Sequence, residues 1–317
     1  MTTIEEFYNG IKGARRILIE ANLSPLQGDR FQPTGFPDLG AAEYVTPDGR
    51  EMLLVESAQS MANRMETACW DDKSNDLIEP LKGLPYINVN LGDGKYTTSI
   101  QEAHRINSEY VLKDKNGFKE KIQEEIGLDG KKDKPIDFKR FYATLLKYDT
   151  NSLVHGTFME EIDGRLRSSR VVSGFIEASG IKRVQSGGVK FSHVNPSKTG
   201  GEGNVPYART EYVAEKITAY FNLDLVQMRS FNLDESAEKL LITLSIYKIL
   251  KSLKDDLRLR TACDLKIDGK ITVRDEEDKD MSLPEYTAIE EKLKALIGEC
   301  TSKNLFAKPS VTEIEYK

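Results

Sequence analysis

The chain has 317 residues, 39% hydrophobic and 30% charged, with a mean hydropathy of −0.47 and a formal net charge of −6. That length can bury about three quarters of the unfolded surface, and no run approaches the roughly 18 apolar residues of a helical membrane span. Three scattered cysteines, Cys69, Cys263 and Cys300, form no CxxC pair, which excludes a zinc ribbon or disulfide frame and fits a reducing cytoplasm.

The first ten residues, MTTIEEFYNG, place acids where a signal peptide needs bases, so none is expected. Residues 14–23, ARRILIEANL, put Ile17, Ile19, Ala21 and Leu23 on one side and Arg16, Glu20 and Asn22 on the other. Period two with one apolar face predicts a half-buried strand. QGDRFQPTGFPDLGAA, residues 27–42, then interrupts what should be a short turn with three glycines, two prolines and two phenylalanines. Connections of this length are usually functional or disordered, and the aromatics argue against disorder. AEYV-TPDG-REMLLVE reads as a hairpin, and Ser57 caps a helix whose Ala58, Met61, Ala62, Met65 and Cys69 form one apolar stripe, read as core. This order predicts an α+β sheet with helices on one face.

Residues 71–140 read as a charged insertion. Within it, 113–140 hold nine bases and seven acids with no sustained apolar periodicity, as in a solvated subdomain. RFYATLLKY (140–148) is apolar again, and RVVSGFIEA (170–178) is strand-like. Residues 179–210 follow with six glycines and two prolines, a second long irregular stretch. After β-rich TEYVAEKITAYFNLDL, Asp234 caps what reads as the most strongly amphipathic helix, from Leu240 to Leu253. LRLRTACDLKI reads as a closing strand, and SLPE (282–285) as a capping box for a last helix that Gly298 stops. No sequence repeat is present, so residues 1–317 read as one elaborated domain.

Catalytic signatures are absent. His104, His155 and His193 are isolated, and no GxSxG, GxxxxGK[ST] or strand-linked GxGxxG occurs. By elimination no catalytic residue, metal or cofactor is expected. The charge, however, is uneven. From Gly164 to Gly201, seven bases face Glu177 alone, a balance of +6, whereas Asp264 to Lys317 carries −4. An acidic chain with one basic face can still meet phosphates. Two Gly-rich loops carrying arginine, lysine and aromatics fit single-stranded nucleic acid, whose backbone is tracked by cations and whose bases stack on rings.

RILIEANLSPLQGDRFQPTGFPDLGAAEYVTPDGREMLLVESAQSMANRMET resembles the N-terminal block of the backbone subunit of subtype I-G (formerly I-U) CRISPR Cascade complexes, a RAMP-superfamily protein. YARTEYVAEKITAYFNLDL and LRLRTACDL resemble later blocks of the same family. The resemblance covers 14–69 well and 141–265 in pieces; the charged insertion and acidic tail look individual to this chain. It implies an RRM/ferredoxin-like core sheet elaborated by insertions, a palm with residues 179–210 as a thumb-like loop. It further implies copies stacked head to tail along a CRISPR RNA, supporting pairing with target DNA beside other Cascade subunits. Cleavage would fall to a separate recruited nuclease-helicase, and no membrane partner is implied.

Chemistry within the matched blocks selects Arg30, Gln32, Arg64, Arg165, Arg167, Arg170, Lys182, Arg183, Lys190, His193, Lys198 and Arg209 as candidate RNA contacts. In the first loop Arg30 and Gln32 would face the guide; the competing reading has Phe31 and Phe36 plugging the core while Arg30 pairs locally. Related type III backbone subunits carry a cleaving aspartate, so Asp149 in KYDTNSLVHG, with His155, is the alternative as a ribonuclease centre.

Overall fold

The computed structural model describes residues 2–36, 38–128, 135–191, 204–255 and 257–317. The chain opens with a short helix, α1 (Ile4–Gly10), held by a reciprocal capping box. Thr3 Oγ1 accepts from Glu6 N, and the Glu6 carboxylate accepts from Thr3 N. β1 (Arg16–Pro25) then alternates as its sequence requires, burying Ile17, Ile19, Ala21 and Leu23. β2 (Glu43–Val45) and β3 (Glu51–Glu56) form the expected hairpin, in whose turn Gly49 has φ +85°, a left-handed conformation that favours glycine. Ser57 caps α2 (Ala58–Thr67) by accepting from Ser60 N. Met61, Ala62, Met65 and Cys69 are core, while Ala58 is exposed at the first turn.

Further along come β4 (Tyr86–Gly92), β5 (Lys95–Thr98), α3 (Phe118–Ile126), α4 (Phe138–Tyr148), α5 (Thr150–His155) and β6 (Val172–Ser179). β7 (Lys182–Phe191) and β8 (Asn204–Val213) follow, then β9 (Lys216–Asp224), α6 (Leu225–Ser230) and α7 (Glu235–Asp255). β10 (Arg258–Arg260), β11 (Cys263–Ile267), β12 (Thr272–Arg274), α8 (Tyr286–Ser302) and β13 (Val311–Glu315) complete the chain.

The main sheet runs β10-β11-β1-β9-β6-β3-β2, with β12 also pairing β1, and its neighbours are antiparallel. Its inner face presents Ile17, Ile19, Ile176, Ile217, Phe221 and Leu223 to the helices. The result is a mixed α+β fold built on an antiparallel sheet. A smaller sheet, β13-β4-β5, pairs β13 in parallel with β4, from Val311↔Tyr86 to Glu315↔Asn90. No described helix is long and apolar enough to cross a membrane.

Several expectations need correction. The 113–140 stretch contains α3, which buries Phe118, Ile122 and Ile126 at i, i+4 and i+8; three apolar residues suffice for a helix that rests on α4. Residues 182–191 and 204–213 are regular antiparallel strands in unbroken register, because cross-strand backbone pairing tolerates glycine where no side-chain packing is demanded. α7 is not one-faced: it is buried nearly all round, from Ser236 to Leu253 and including Lys248, because α2, α5, α6 and α8 pack against it. LRLRTACDLKI is two strands, β10 and β11, folded back on each other. SLPE forms no side-chain cap, and α8 runs past Gly298 to Ser302. The acidic stretch from Asp264 to Lys317 folds as most of β11, then β12, α8 and β13, with Ile314 of β13 buried.

Candidate nucleic-acid interface

The long 27–42 connection is stitched to the root of the β7–β8 ribbon. Phe31 N donates to Tyr212 O and Tyr212 N to Phe31 O, both at 2.9 Å, so Phe31 acts as a third strand beside β8. Gln32 N donates to Ala262 O (2.7 Å) and Thr34 N to Val55 O (2.9 Å), which ties the loop to the main sheet as well. Phe31 is fully buried, the core-plugging role weighed for it; the side chain of Phe36 lies outside the described residues.

Two clefts flank this seam. The larger, about 650 Å³, is lined by Gln32, Thr34, Glu43, Arg183, Gln185, Tyr212 and Arg260 among others. The smaller, about 280 Å³, is lined by residues 26–30 with Glu211, Thr261, Ala262 and Asp264.

Carboxylates hold the arginines around both clefts. Arg30 Nη1 donates to Glu211 Oε2 (3.2 Å), Ser186 Oγ lies 3.1 Å from the same oxygen, and Arg209 Nε sits 3.6 Å from Glu211 Oε1. Arg209 Nη2 also donates to Gln32 Oε1 at 2.8 Å. In the larger cleft Arg183 forks onto Glu43 at 2.8–3.0 Å, and the Tyr212 hydroxyl donates to the same carboxylate. The Arg183 hydrogen bonds hold Glu43 below the usual carboxylate range despite opposing desolvation. The side chains of Arg30 and Arg183 remain 56% and 66% exposed, so both guanidinium groups can meet an incoming anion without unfolding anything.

The other selected residues are scattered. Arg64 is turned inward, donating to Glu56 Oε1 (3.3 Å) and Leu259 O (2.6 Å); buried Glu56 also takes Arg260 and Ser60. Arg165 pairs with Asp163, Arg167 lies over the Phe158 ring (4.2 Å to its centroid), and Arg170 reaches Gln59 and Ala58 O. Arg64 and these three line neither cleft. Lys182 is exposed at the ribbon root. Lys190 belongs to β7 but its side chain, like His193 and Lys198 entirely, lies outside the described residues. The sequence reading missed Glu43, Glu211, Tyr212 and Arg260. Glu43 and Arg183 are 140 positions apart, and no local spacing announces such a pair.

Asp149 and His155 are interior. Asp149 caps α5, accepting from Ser152 N (3.3 Å) and Oγ (2.6 Å), and accepts Ile106 N (3.1 Å); burial pushes its carboxyl up to about 6. His155 Nε2 lies 3.0 Å from Lys248 Nζ, and burial, then that ammonium, hold the imidazole well below its ordinary range. Beside them Arg105 forks onto Glu66 (2.7 and 2.8 Å), which also accepts Asn151 Nδ2. None of these groups is more than 7% exposed, so a strand on the surface reaches none of them. Among the described residues no group of three His, Cys, Asp or Glu is placed to hold a metal ion.

Among the solved structures that align with the chain, two are described as a CRISPR RNA-guided surveillance complex, one of them pre-nicking. The pre-nicking structure is 13% identical, with a TM-score of 0.41 over 91% of this chain and 89% of its own. The other is 11% identical, also at 0.41, over 91% and 83%. No curated protein matches. The family model described as CRISPR-associated protein GSU0053 matches residues 17–183, more than half of the sequence and the whole span from β1 to the ribbon root. The chain belongs to that CRISPR-associated family.

Proposed function

We propose that this chain is a non-catalytic backbone subunit of a type I Cascade complex, of subtype I-G, that binds CRISPR RNA in the cytoplasm. One observation carries the reading. In a chain of a CRISPR-associated family, Arg30, Arg183 and Arg209 are gathered by Glu43 and Glu211 around the root of a two-stranded ribbon, beside open clefts. Exposed guanidinium groups in preset positions suit phosphate, and sequence-independent contacts of this kind suit a subunit that must accept any guide.

The core is read as RRM/ferredoxin-like. The order β11-β1-β9-β6, with helices between β1 and β6 and again between β9 and β11, supports a split β-α-β arrangement. The projecting ribbon takes the place of the thumb. Copies would stack head to tail along the guide with other Cascade subunits and present it to target DNA, leaving cleavage to a recruited nuclease-helicase. The interior placement of Asp149 and His155 speaks against the ribonuclease alternative.

Incubating the purified chain with labelled RNA, with and without Mg²⁺, tests this reading. Retarded, intact RNA supports it; shortened products overturn the non-catalytic role. Electron microscopy of the chain co-expressed with a CRISPR array tests the stacking, and a strictly one-to-one complex on a long guide counts against it.

A further inference from the structure

We infer that Tyr207 is a nucleobase-stacking residue, so that the ribbon reads unpaired bases without regard to their identity as well as phosphates. The inference rests on the nucleic-acid reading above and adds a contact of a different chemistry to it. β8 places Tyr207, Arg209 and Glu211 on one face of the ribbon, opposite Gly188, Ser186 and Val184 of β7. Tyr207 is 53% exposed, so the fold gains little burial from an aromatic at this position.

Gly188 of β7 nevertheless leaves room for the ring, and Gly187 leaves room for the Tyr207 backbone. A Cβ on Gly188 would stand 3.0 Å from the Tyr207 hydroxyl oxygen and 3.2 Å from two ring carbons. A Cβ on Gly187 would stand 2.5 Å from the Tyr207 carbonyl oxygen. The ring therefore lies against the bare backbone of Gly188, with about half of the residue's surface open to solvent. Along β8 the next residue on this face is Arg209, about 7 Å away at two strand residues, comparable with one nucleotide step of a stretched single strand. Cation and ring in that alternation match a strand whose phosphates and bases also alternate.

A purely structural role is the competing account, since an aromatic across from a strand glycine restores local packing. The two accounts separate on a strand without bases. Binding of a fluorescein-labelled oligouridylate and of an abasic strand of equal length would be measured by anisotropy for the full chain and for Tyr207→Ala and Tyr207→Phe. The expected result is a loss for Tyr207→Ala on the order of 5- to 100-fold on oligouridylate. Binding of the abasic strand should stay unchanged, and Tyr207→Phe should behave as the parent chain. Equal loss on both strands would assign the ring to ribbon shape, and no loss on either would remove Tyr207 from the interface; each overturns the inference. If the parent chain binds neither strand, the nucleic-acid reading fails first and the stacking role with it.

Discussion

Replacing Arg30 with alanine separates the two roles available to the first long loop. In the free chain Arg30 pairs with Glu211 at 3.2 Å, with side-chain exposures of 56% and 11%. A pair this exposed contributes ~0–1 kcal/mol. Glu211 is not orphaned by the change, because Ser186 and Arg209 remain beside it. Phe31, whose two backbone hydrogen bonds to Tyr212 anchor the loop, is untouched. The thermal midpoint should therefore fall by less than about 3 °C. If Arg30 meets a phosphate, losing one charge-assisted contact costs about 1.5–3 kcal/mol, or roughly 10- to 150-fold in affinity for each copy. Copies sharing one guide would compound that loss. Arg30→Lys should fall between the two, keeping the charge and losing the fork. The assay is a thermal melt and RNA anisotropy on the same preparations at one fixed salt concentration. A lowered midpoint with unchanged affinity would show that Arg30 only braces the loop, and the RNA-contact role would be wrong.

Affinity for RNA should fall steeply with salt, with a slope near −0.7 per phosphate neutralised; a flat titration would sink the electrostatic account of the ribbon root. Glu66→Ala strands Arg105, which is 7% exposed, without its carboxylate, and should cost about 3–5 kcal/mol in urea unfolding; a loss below about 1 kcal/mol would mean that water reaches the Arg105 guanidinium. Asp149 is raised from 3.8 to about 6, so the folded chain holds this proton more tightly than the unfolded one. Its contribution is complete below pH about 4 and is lost as pH rises toward 6. Against Asp149→Asn, the parent chain should lose roughly 3 kcal/mol of stability across that window, and parallel pH profiles would refute the shift.

Where a segment's structure depends on its own neighbours, the sequence was sufficient. The alternation of Ile17, Ile19, Ala21 and Leu23 fixed β1 and its buried face, Ser57 marked the start of α2, and the TPDG turn placed the β2–β3 hairpin. These are period, cap and turn signals, each decided within a few residues. The first quoted block, most of which lies within the matched residues 17–183, likewise pointed to a CRISPR-associated family, and the bases clustered between 164 and 201 include those at the ribbon root. Tertiary structure alone decided the rest. Residues 179–210 looked irregular because glycine weakens every local strand signal, yet ten cross-strand partners hold β7 and β8 straight. The periodicity of α7 looked one-faced because a pattern of leucines cannot show that Lys248 will be buried beside Asn151 and His155. Arg64 and Arg30 are indistinguishable as letters. One is drawn inward by Glu56 and a carbonyl of β10, while the other remains at a cleft mouth because Glu211, 181 positions away, stands beneath it. Whether a cation faces solvent depends on which anion the folded chain brings within about 4 Å, where Coulomb energy outweighs side-chain entropy only if the pair is desolvated. That distance is set by sheet register and helix packing, and no window of sequence contains it.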